Sequence, residues 1–144
     1  MAKLFIIFFS AVLLISCEKD SFFLWGDPLD PVEDETYIYA PSPVFDVIAP
    51  SSVKFGETVK IKVRSQGNSG CAGFSHFLES NTGRSTYNIR VVQKAPREGF
   101  CTSVLTTLTS SYEFVPEARQ KYTLNFWRGE LYENDFITVQ INVR

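Results

Sequence analysis

Alternation of apolar and polar side chains with a period of two is the feature that most constrains the fold of this chain. In the stretch ETVKIKVRS, Val59, Ile61 and Val63 alternate with charged or polar residues. The C-terminal stretch FITVQINVR repeats the pattern from Ile137 to Val143. Because successive side chains of a β-strand point to opposite faces, this period predicts strands with one buried and one solvated face.

Further short strands are predicted around these two. The stretches STYNIRVVQ, SYEFV and KYTLNFW show the same period less regularly, residues 45–49 predict a first strand, and residues 73–79 predict a middle one. No window carries the apolar stripe of an amphipathic helix. Seven to eight short strands separated by Gly, Pro, Asn and Ser turns indicate an all-β fold, a sandwich of antiparallel strands.

Two stretches carry a resemblance to a known family. In APSSVKFGETVKIKV, Gly56 precedes an alternating strand, and in KYTLNFWRG, Tyr122 begins the penultimate strand as a tyrosine-corner residue would. With these motifs, residues 41–144 resemble an immunoglobulin-like domain, and more narrowly the small immunoglobulin-like lipoproteins of Bacteroidota. The cysteines of antibody domains are absent from the corresponding strands, in which Val63 and Leu124 stand. The resemblance implies a fold and no particular activity.

The N-terminus has the layout of a secretory signal peptide. Lys3 precedes an apolar run over residues 4–15, interrupted only by Ser10, which is shorter than the about 20 residues of a transmembrane helix. The run ends in LISC, residues 14–17, which resembles the lipobox of bacterial lipoproteins. That resemblance implies cleavage before Cys17 and attachment of acyl chains to it. The alternative is an ordinary cysteine after a conventional cleavage site.

We therefore expect three parts: a lipoprotein signal peptide (residues 1–16), a flexible, lipidated acidic tether (17–40) and a sandwich domain (41–144). The tether has seven acidic residues and one basic residue, and such a segment does not easily pack by itself. The domain has 12 basic and 9 acidic residues without a basic cluster, so nucleic-acid binding is not expected. The expected location is the cell envelope, as an outer-membrane lipoprotein held by the Cys17 lipid. The stretch CEKDS partly resembles a surface-export tag, which leaves both surface display and periplasmic retention open.

Two cysteines remain in the domain, Cys71 and Cys101. In an oxidising compartment, a pair left over after lipidation is best explained as a disulfide. A redox or metal role is the competitor, but it requires a C-x-x-C motif or further ligands, and His76 is the only histidine. The disulfide is therefore the prediction.

Catalytic motifs are hard to find in this sequence. His76 alone supplies no zinc site, no serine lies in a G-x-S-x-G elbow, and phosphate-binding glycine loops are absent. A structural role for His76 is the favoured interpretation. We expect no catalytic residue, no metal and no cofactor.

A binding patch is predicted near the end of KYTLNFW. If Tyr122, Leu124 and Phe126 face the core, alternation turns Trp127 outward, and an aromatic and arginine cluster has the composition of a recognition surface. The patch comprises Trp127, Arg128, Leu131, Tyr132 and Phe136. The competing interpretation is that Trp127 closes the core or packs under a neighbouring segment.

The function most consistent with these features is a non-catalytic binding or accessory module that presents a protein or glycan ligand site from the membrane. The alternatives are a protease inhibitor or enzyme on the same scaffold, or a purely structural envelope protein. Fold alone does not choose among them.

Overall fold

The computed structural model of the protein describes residues 36–130 and 136–144. Nine strands cover most of these residues, and no helix occurs among them. The strands are β1 (Tyr37–Ser42), β2 (Val44–Ile48), β3 (Ser52–Val53), β4 (Val59–Gly67), β5 (Gly73–Gly83), β6 (Thr86–Pro96), β7 (Thr106–Phe114), β8 (Lys121–Trp127) and β9 (Phe136–Val143).

These strands form a large sheet of six strands and a small sheet of three. The large sheet has the order β1-β6-β8-β9-β3, and β5 pairs with β6 in addition. Strand β5 pairs with one edge of β6. The other edge of β6 has two partners: β8 pairs with residues 86–89 of β6, and β1 pairs with residues 91–96. The small sheet has the order β2-β4-β7.

The all-β prediction is confirmed, but the expectation of seven to eight strands, all antiparallel, is wrong. Two of the pairings among the described strands are parallel, β3 with β9 and β6 with β8. The second arises because the β5–β6 hairpin places its second strand, not its first, beside β8. Strand β6 therefore runs in the same direction as β8.

The extra strands come from the start of the domain, where three short strands replace the single one predicted over residues 45–49. Strand β1 pairs with β6 in the large sheet, β2 crosses to β4 in the small sheet, and β3 returns to β9. Pro43 and Pro50 lie at the two crossings. Because proline lacks a backbone N–H, it interrupts a ladder at these points. The first strand begins at Tyr37, before the expected domain boundary at residue 41.

The core lies between the two sheets and follows the alternation of the strands. In β4 and β8, every second residue is buried, including Ile61, Tyr122 and Phe126. Aromatic rings meet across the core: Tyr112 of β7 packs edge-on against Phe126, with ring centroids 5.8 Å apart. The buried core residues are Val44, Val59, Ile61, Val63, Ile89, Val91, Tyr112, Phe114, Tyr122, Leu124, Phe126, Ile141 and Val143.

Tyr122 has the hydrogen bonds of a tyrosine corner. Its buried hydroxyl accepts the backbone N–H groups of Glu117 and Ala118 at 3.1 and 2.9 Å, in the connection that leads from β7 into β8. These bonds satisfy backbone donors that would otherwise be left without a partner at the turn. Tyr122 thus lies near the start of β8, with its hydroxyl bonded back to the preceding connection.

The predicted bond between Cys71 and Cys101 is confirmed, with the two Cα atoms 5.5 Å apart. It joins the β4–β5 connection to the β6–β7 loop, residues 97–105. We call this side of the domain the disulfide end. The described chain also enters here, because Tyr37 pairs with Pro96 and the backbone N–H of Arg97 donates to the carbonyl oxygen of Thr36 at 2.8 Å.

Candidate binding face

Strand β8 presents one side to the core and the other to the outer face of the large sheet. Tyr122, Leu124 and Phe126 are buried, whereas Asn125 and Trp127 are only partly covered. Antiparallel pairing places Asn125 opposite Thr138 and Trp127 opposite Phe136 of β9. Directly opposite residues share a face of the sheet, so β8 and β9 contribute polar and aromatic side chains to the same outer surface.

A ladder of hydrogen bonds crosses three strands on this face. The Asn125 side-chain amide donates to Oδ1 of Asn88 on β6 at 2.9 Å. The Thr138 hydroxyl donates to Oδ1 of Asn125, also at 2.9 Å. An amide side chain carries two donors and an acceptor with two lone pairs. The ladder therefore fixes the rotamers of these groups and leaves part of their hydrogen-bonding capacity for a ligand.

Trp127 lies beside this ladder with an arginine over its ring. The guanidinium carbon of Arg90 is 4.8 Å from the ring centroid, within the range of a cation–π contact. Partial burial lowers the pKa of Arg90 from its ordinary value, and the charge of Glu130 opposes that shift. The arginine stays cationic at neutral pH because its ordinary pKa is so high.

We call the set Asn88, Arg90, Asn125, Trp127, Phe136 and Thr138 the outer-face cluster. It brings together two members of the predicted patch, Trp127 and Phe136. Arg128 follows directly, half-buried, at the turn where Gly129 adopts a φ of 101° against Pro43. Leu131 and Tyr132 lie outside the described residues. Trp127 is not among the buried core residues, which speaks against the core-closing interpretation.

Asn88 and Arg90 were missed as site residues from sequence. Their signal is the parity of STYNIRVVQ: Ile89 and Val91 are buried core residues, so Asn88 and Arg90 belong to the opposite face of β6. Parity predicts on which face of β6 a side chain lies, but not which strand pairs with β6. The parallel pairing of β6 with β8, which puts Asn88 opposite Asn125, has no local signature.

His76 lies in β5 at an irregularity in the pairing with β6. Its Nδ1 is 3.0 Å from the hydroxyl oxygen of Ser75, and its Nε2 is buried without a hydrogen-bond partner among the described residues. A serine–histidine pair that acts on a substrate also needs a group that orients the histidine. Within the described chain, the imidazole hydrogen-bonds to no carboxylate.

A second titratable contact lies at the edge of the core. The Tyr112 hydroxyl donates to Oε2 of Glu79. Burial, followed by the hydrogen bond to Glu79 and its charge, raises the pKa of Tyr112 above its ordinary value. The phenol therefore stays protonated, and the contact supports packing between β5 and β7. Across residues 36–130 and 136–144, no group of three His, Cys, Asp or Glu side chains is placed to hold a metal ion.

A shallow depression of about 320 Å³ lies at the disulfide end, lined in part by Ile38, Gln93 and Cys101. The polar group at its floor already has partners. Gln93 accepts the backbone N–H of Asn68 at 2.9 Å and donates to the carbonyl oxygen of Pro41 at 3.1 Å. Another side chain of the lining, the Ser69 hydroxyl, is buried without a hydrogen-bond partner in the described chain.

The expected lipidation site, Cys17, lies outside the described residues. In the part of the chain that the structure describes, no helix is long and apolar enough to cross a membrane. Comparisons with protein-family models, with curated proteins and with solved structures found no match to this chain.

Proposed function

We propose that the protein is a non-catalytic binding module, held at the bacterial cell envelope by a lipid on Cys17, that recognises a glycan with its outer-face cluster. The observation that carries the proposal is the juxtaposition of the Asn88–Asn125–Thr138 ladder with Trp127 and Arg90 on a rigid sheet, outside the core. A site on paired strands is held more firmly than one on loops.

The chemistry of the cluster favours a hydroxyl-rich ligand over an apolar one. Side-chain amides and a threonine hydroxyl both donate and accept hydrogen bonds, as sugar hydroxyls do. An aromatic ring supplies an apolar surface for the C–H face of a sugar at low cost in side-chain entropy. A protein ligand is the second candidate, because Trp and Arg are also the residue types that dominate protein interfaces.

We also infer that the domain is a variant of the immunoglobulin-like sandwich. Support comes from the tyrosine corner of Tyr122 and from the antiparallel pairing of β4 with β7 and of β8 with β9. The pairing of β6 with β8 is parallel, whereas the strands of immunoglobulin sheets are antiparallel in this position. The variant would differ from an immunoglobulin domain in the placement of its β5–β6 hairpin, whose second strand, and not its first, lies beside β8.

The lipid anchor is testable in cells. Feeding the producing bacterium a labelled fatty acid should label the wild type and the Cys71→Ser variant, because Cys17 is the cysteine of the LISC motif. Cys17→Ser should carry no label. Equal labelling of Cys17→Ser and wild type would contradict the anchor.

Glycan recognition predicts a specific effect for Trp127→Ala. Wild-type protein should bind a subset of an immobilised oligosaccharide panel, and the variant should bind the same members about thirtyfold more weakly, as expected for the loss of a central aromatic contact. Its thermal melt should stay near that of the wild type, since Trp127 is outside the core.

A matched control for Trp127 exists on the small sheet. Phe45 is 43% exposed and lies under the Arg64 guanidinium at 5.2 Å, so Phe45→Ala also removes an aromatic ring from a cation–π pair. This variant should bind as the wild type does. A melt of Trp127→Ala that falls by the equivalent of about 3 kcal/mol or more would instead indicate core closure. No oligosaccharide binding by the wild type would overturn the glycan proposal.

A further inference from the structure

The β6–β7 loop at the disulfide end exposes apolar side chains that are not part of the core between the two sheets. Phe100 is fully exposed, Val104 and Leu105 are each 62% exposed, and Ile38 of the neighbouring β1 is 51% exposed. We call these four residues the apolar tip. Exposed aromatic and aliphatic side chains grouped in this way mark interaction sites more often than isolated ones do.

The loop is braced, so its exposed residues are held outward. Cys101 is bonded to Cys71, the carbonyl oxygen of Thr102 accepts the backbone N–H of Gly70 at 2.9 Å, and the Thr106 hydroxyl donates to the carbonyl oxygen of Ser69 at 3.0 Å. The bonds at Cys101 and Thr106 fix the loop directly beside Phe100 and Leu105. Ordering these residues on contact with a partner therefore costs less conformational entropy than it would in an unbraced loop.

Charge is absent from this loop from Phe100 onward. From Phe100 to Tyr112 the sequence contains no ionisable acid, lysine, arginine or histidine, only hydroxyl and apolar side chains around the cysteine. Insertion of charged groups into lipid is expensive, whereas hydroxyls tolerate the headgroup region. The charged residues of the loop, Arg97 and Glu98, precede this stretch and carry opposite charges.

The position at which the described chain begins indicates which partner the apolar tip contacts. The carbonyl oxygen of Thr36 accepts the backbone N–H of Arg97, so the described chain begins beside the apolar tip. The segment from Cys17 to Thr36 comprises about 19 peptide steps and spans at most roughly 65 Å when fully extended. A segment of that length can reach any side of the domain, but the shortest connection from a membrane that held Cys17 to Thr36 puts the apolar tip on the membrane side.

We propose that the apolar tip contacts the lipid surface to which the protein is anchored, with Phe100 at the boundary between headgroups and acyl chains. This inference rests on the proposed lipid anchor at Cys17 and concerns a surface separate from the outer-face cluster. Contact at one end orients the sandwich, with its strands rising from the membrane. Such an orientation keeps both sheet faces accessible.

Tryptophan quenching by brominated lipid tests the orientation. The lipidated protein, reconstituted into phosphatidylethanolamine–phosphatidylglycerol vesicles with bromine in the acyl chains, is compared as Phe100→Trp and Phe55→Trp. In both variants the two native tryptophans, Trp25 and Trp127, are replaced by phenylalanine. Phe55 is 47% exposed and lies at the opposite end, where its backbone N–H bonds to the carbonyl oxygen of Arg144. The tryptophan at position 100 should be quenched and the one at position 55 should not. Equal quenching at both positions would overturn the proposal.

The two proposals fail in distinguishable ways. If Cys17 carries no lipid, the wild type incorporates no labelled fatty acid, and the anchor itself is wrong. The tip is then tested without it: unlipidated Cys17→Ser protein should partition onto the same vesicles, and Phe100→Ser in that background should weaken partitioning about tenfold. Phe55→Ser should leave it unchanged. No effect of Phe100→Ser on partitioning, or Phe100-dependent self-association in sedimentation without lipid, would overturn membrane contact.

Discussion

Phe126→Ala is expected to lower the free energy of unfolding by about 3–5 kcal/mol, the range for removal of a buried phenyl ring. Phe126 is fully buried in β8 and packs edge-on against Tyr112 of the opposite sheet. Its removal deletes contacts on both sides of the core and leaves a cavity that strands held by two ladders do not easily close. Urea denaturation with an unchanged slope would report the loss.

The control for Phe126 lies three residues earlier on the other face of β8. Thr123 is partly exposed and faces outward, so Thr123→Ala should change stability by about 0.5 kcal/mol or less. Equal losses for the two variants would show that the alternation of β8 does not separate core from solvent. The packing of the two sheets described above would then be wrong.

Removing the disulfide is expected to cost about 3–4 kcal/mol in the chain-entropy model of loop closure. Cys71 and Cys101 are 30 residues apart in sequence, and the bond closes a loop that contains the whole β5–β6 hairpin. Without it, the unfolded chain gains conformational freedom, and the β6–β7 loop loses its brace. The double variant Cys71→Ser, Cys101→Ser should therefore unfold at lower urea concentration than the oxidised wild type.

Reduction of the wild type provides the matched comparison, because it removes the bond without changing a side-chain volume. Reduced wild type and the double variant should show similar midpoints. A double variant as stable as the oxidised protein would contradict a stabilising bond. Free thiols on both cysteines in protein isolated under oxidising conditions, measured by mass spectrometry of a non-reduced digest, would contradict the bond itself.

The sequence was sufficient for features that depend on neighbours along the chain. Alternation assigned Ile61, Tyr122 and Phe126 to the core because successive side chains of a strand point to opposite faces wherever the strand lies. The expectation of a corner at Tyr122 came instead from the resemblance of KYTLNFWRG to an immunoglobulin-like domain. The same parity placed Trp127 on the outer face.

The alternation of apolar and polar residues did not predict which strands pair when they are distant in sequence. The N-terminal segment was expected to form one strand in one sheet, yet it divides among β1, β2 and β3, and the sheet each joins depends on partners far along the chain. Prolines at positions 43 and 50 indicated interruptions. These prolines did not indicate which sheet the segments before and after them would join.

The alternation of apolar and polar residues alone thus determined the all-β class and the buried side of the main strands. Only the tertiary structure decided that β6 lies parallel beside β8, which brings Asn88 and Arg90 to Asn125 and Trp127, and that the incoming chain lies beside Phe100. The physical reason is that the side-chain period is a property of the extended backbone itself. Strand neighbours are chosen by the combined packing of many residues distant in sequence, none of which identifies its partner locally.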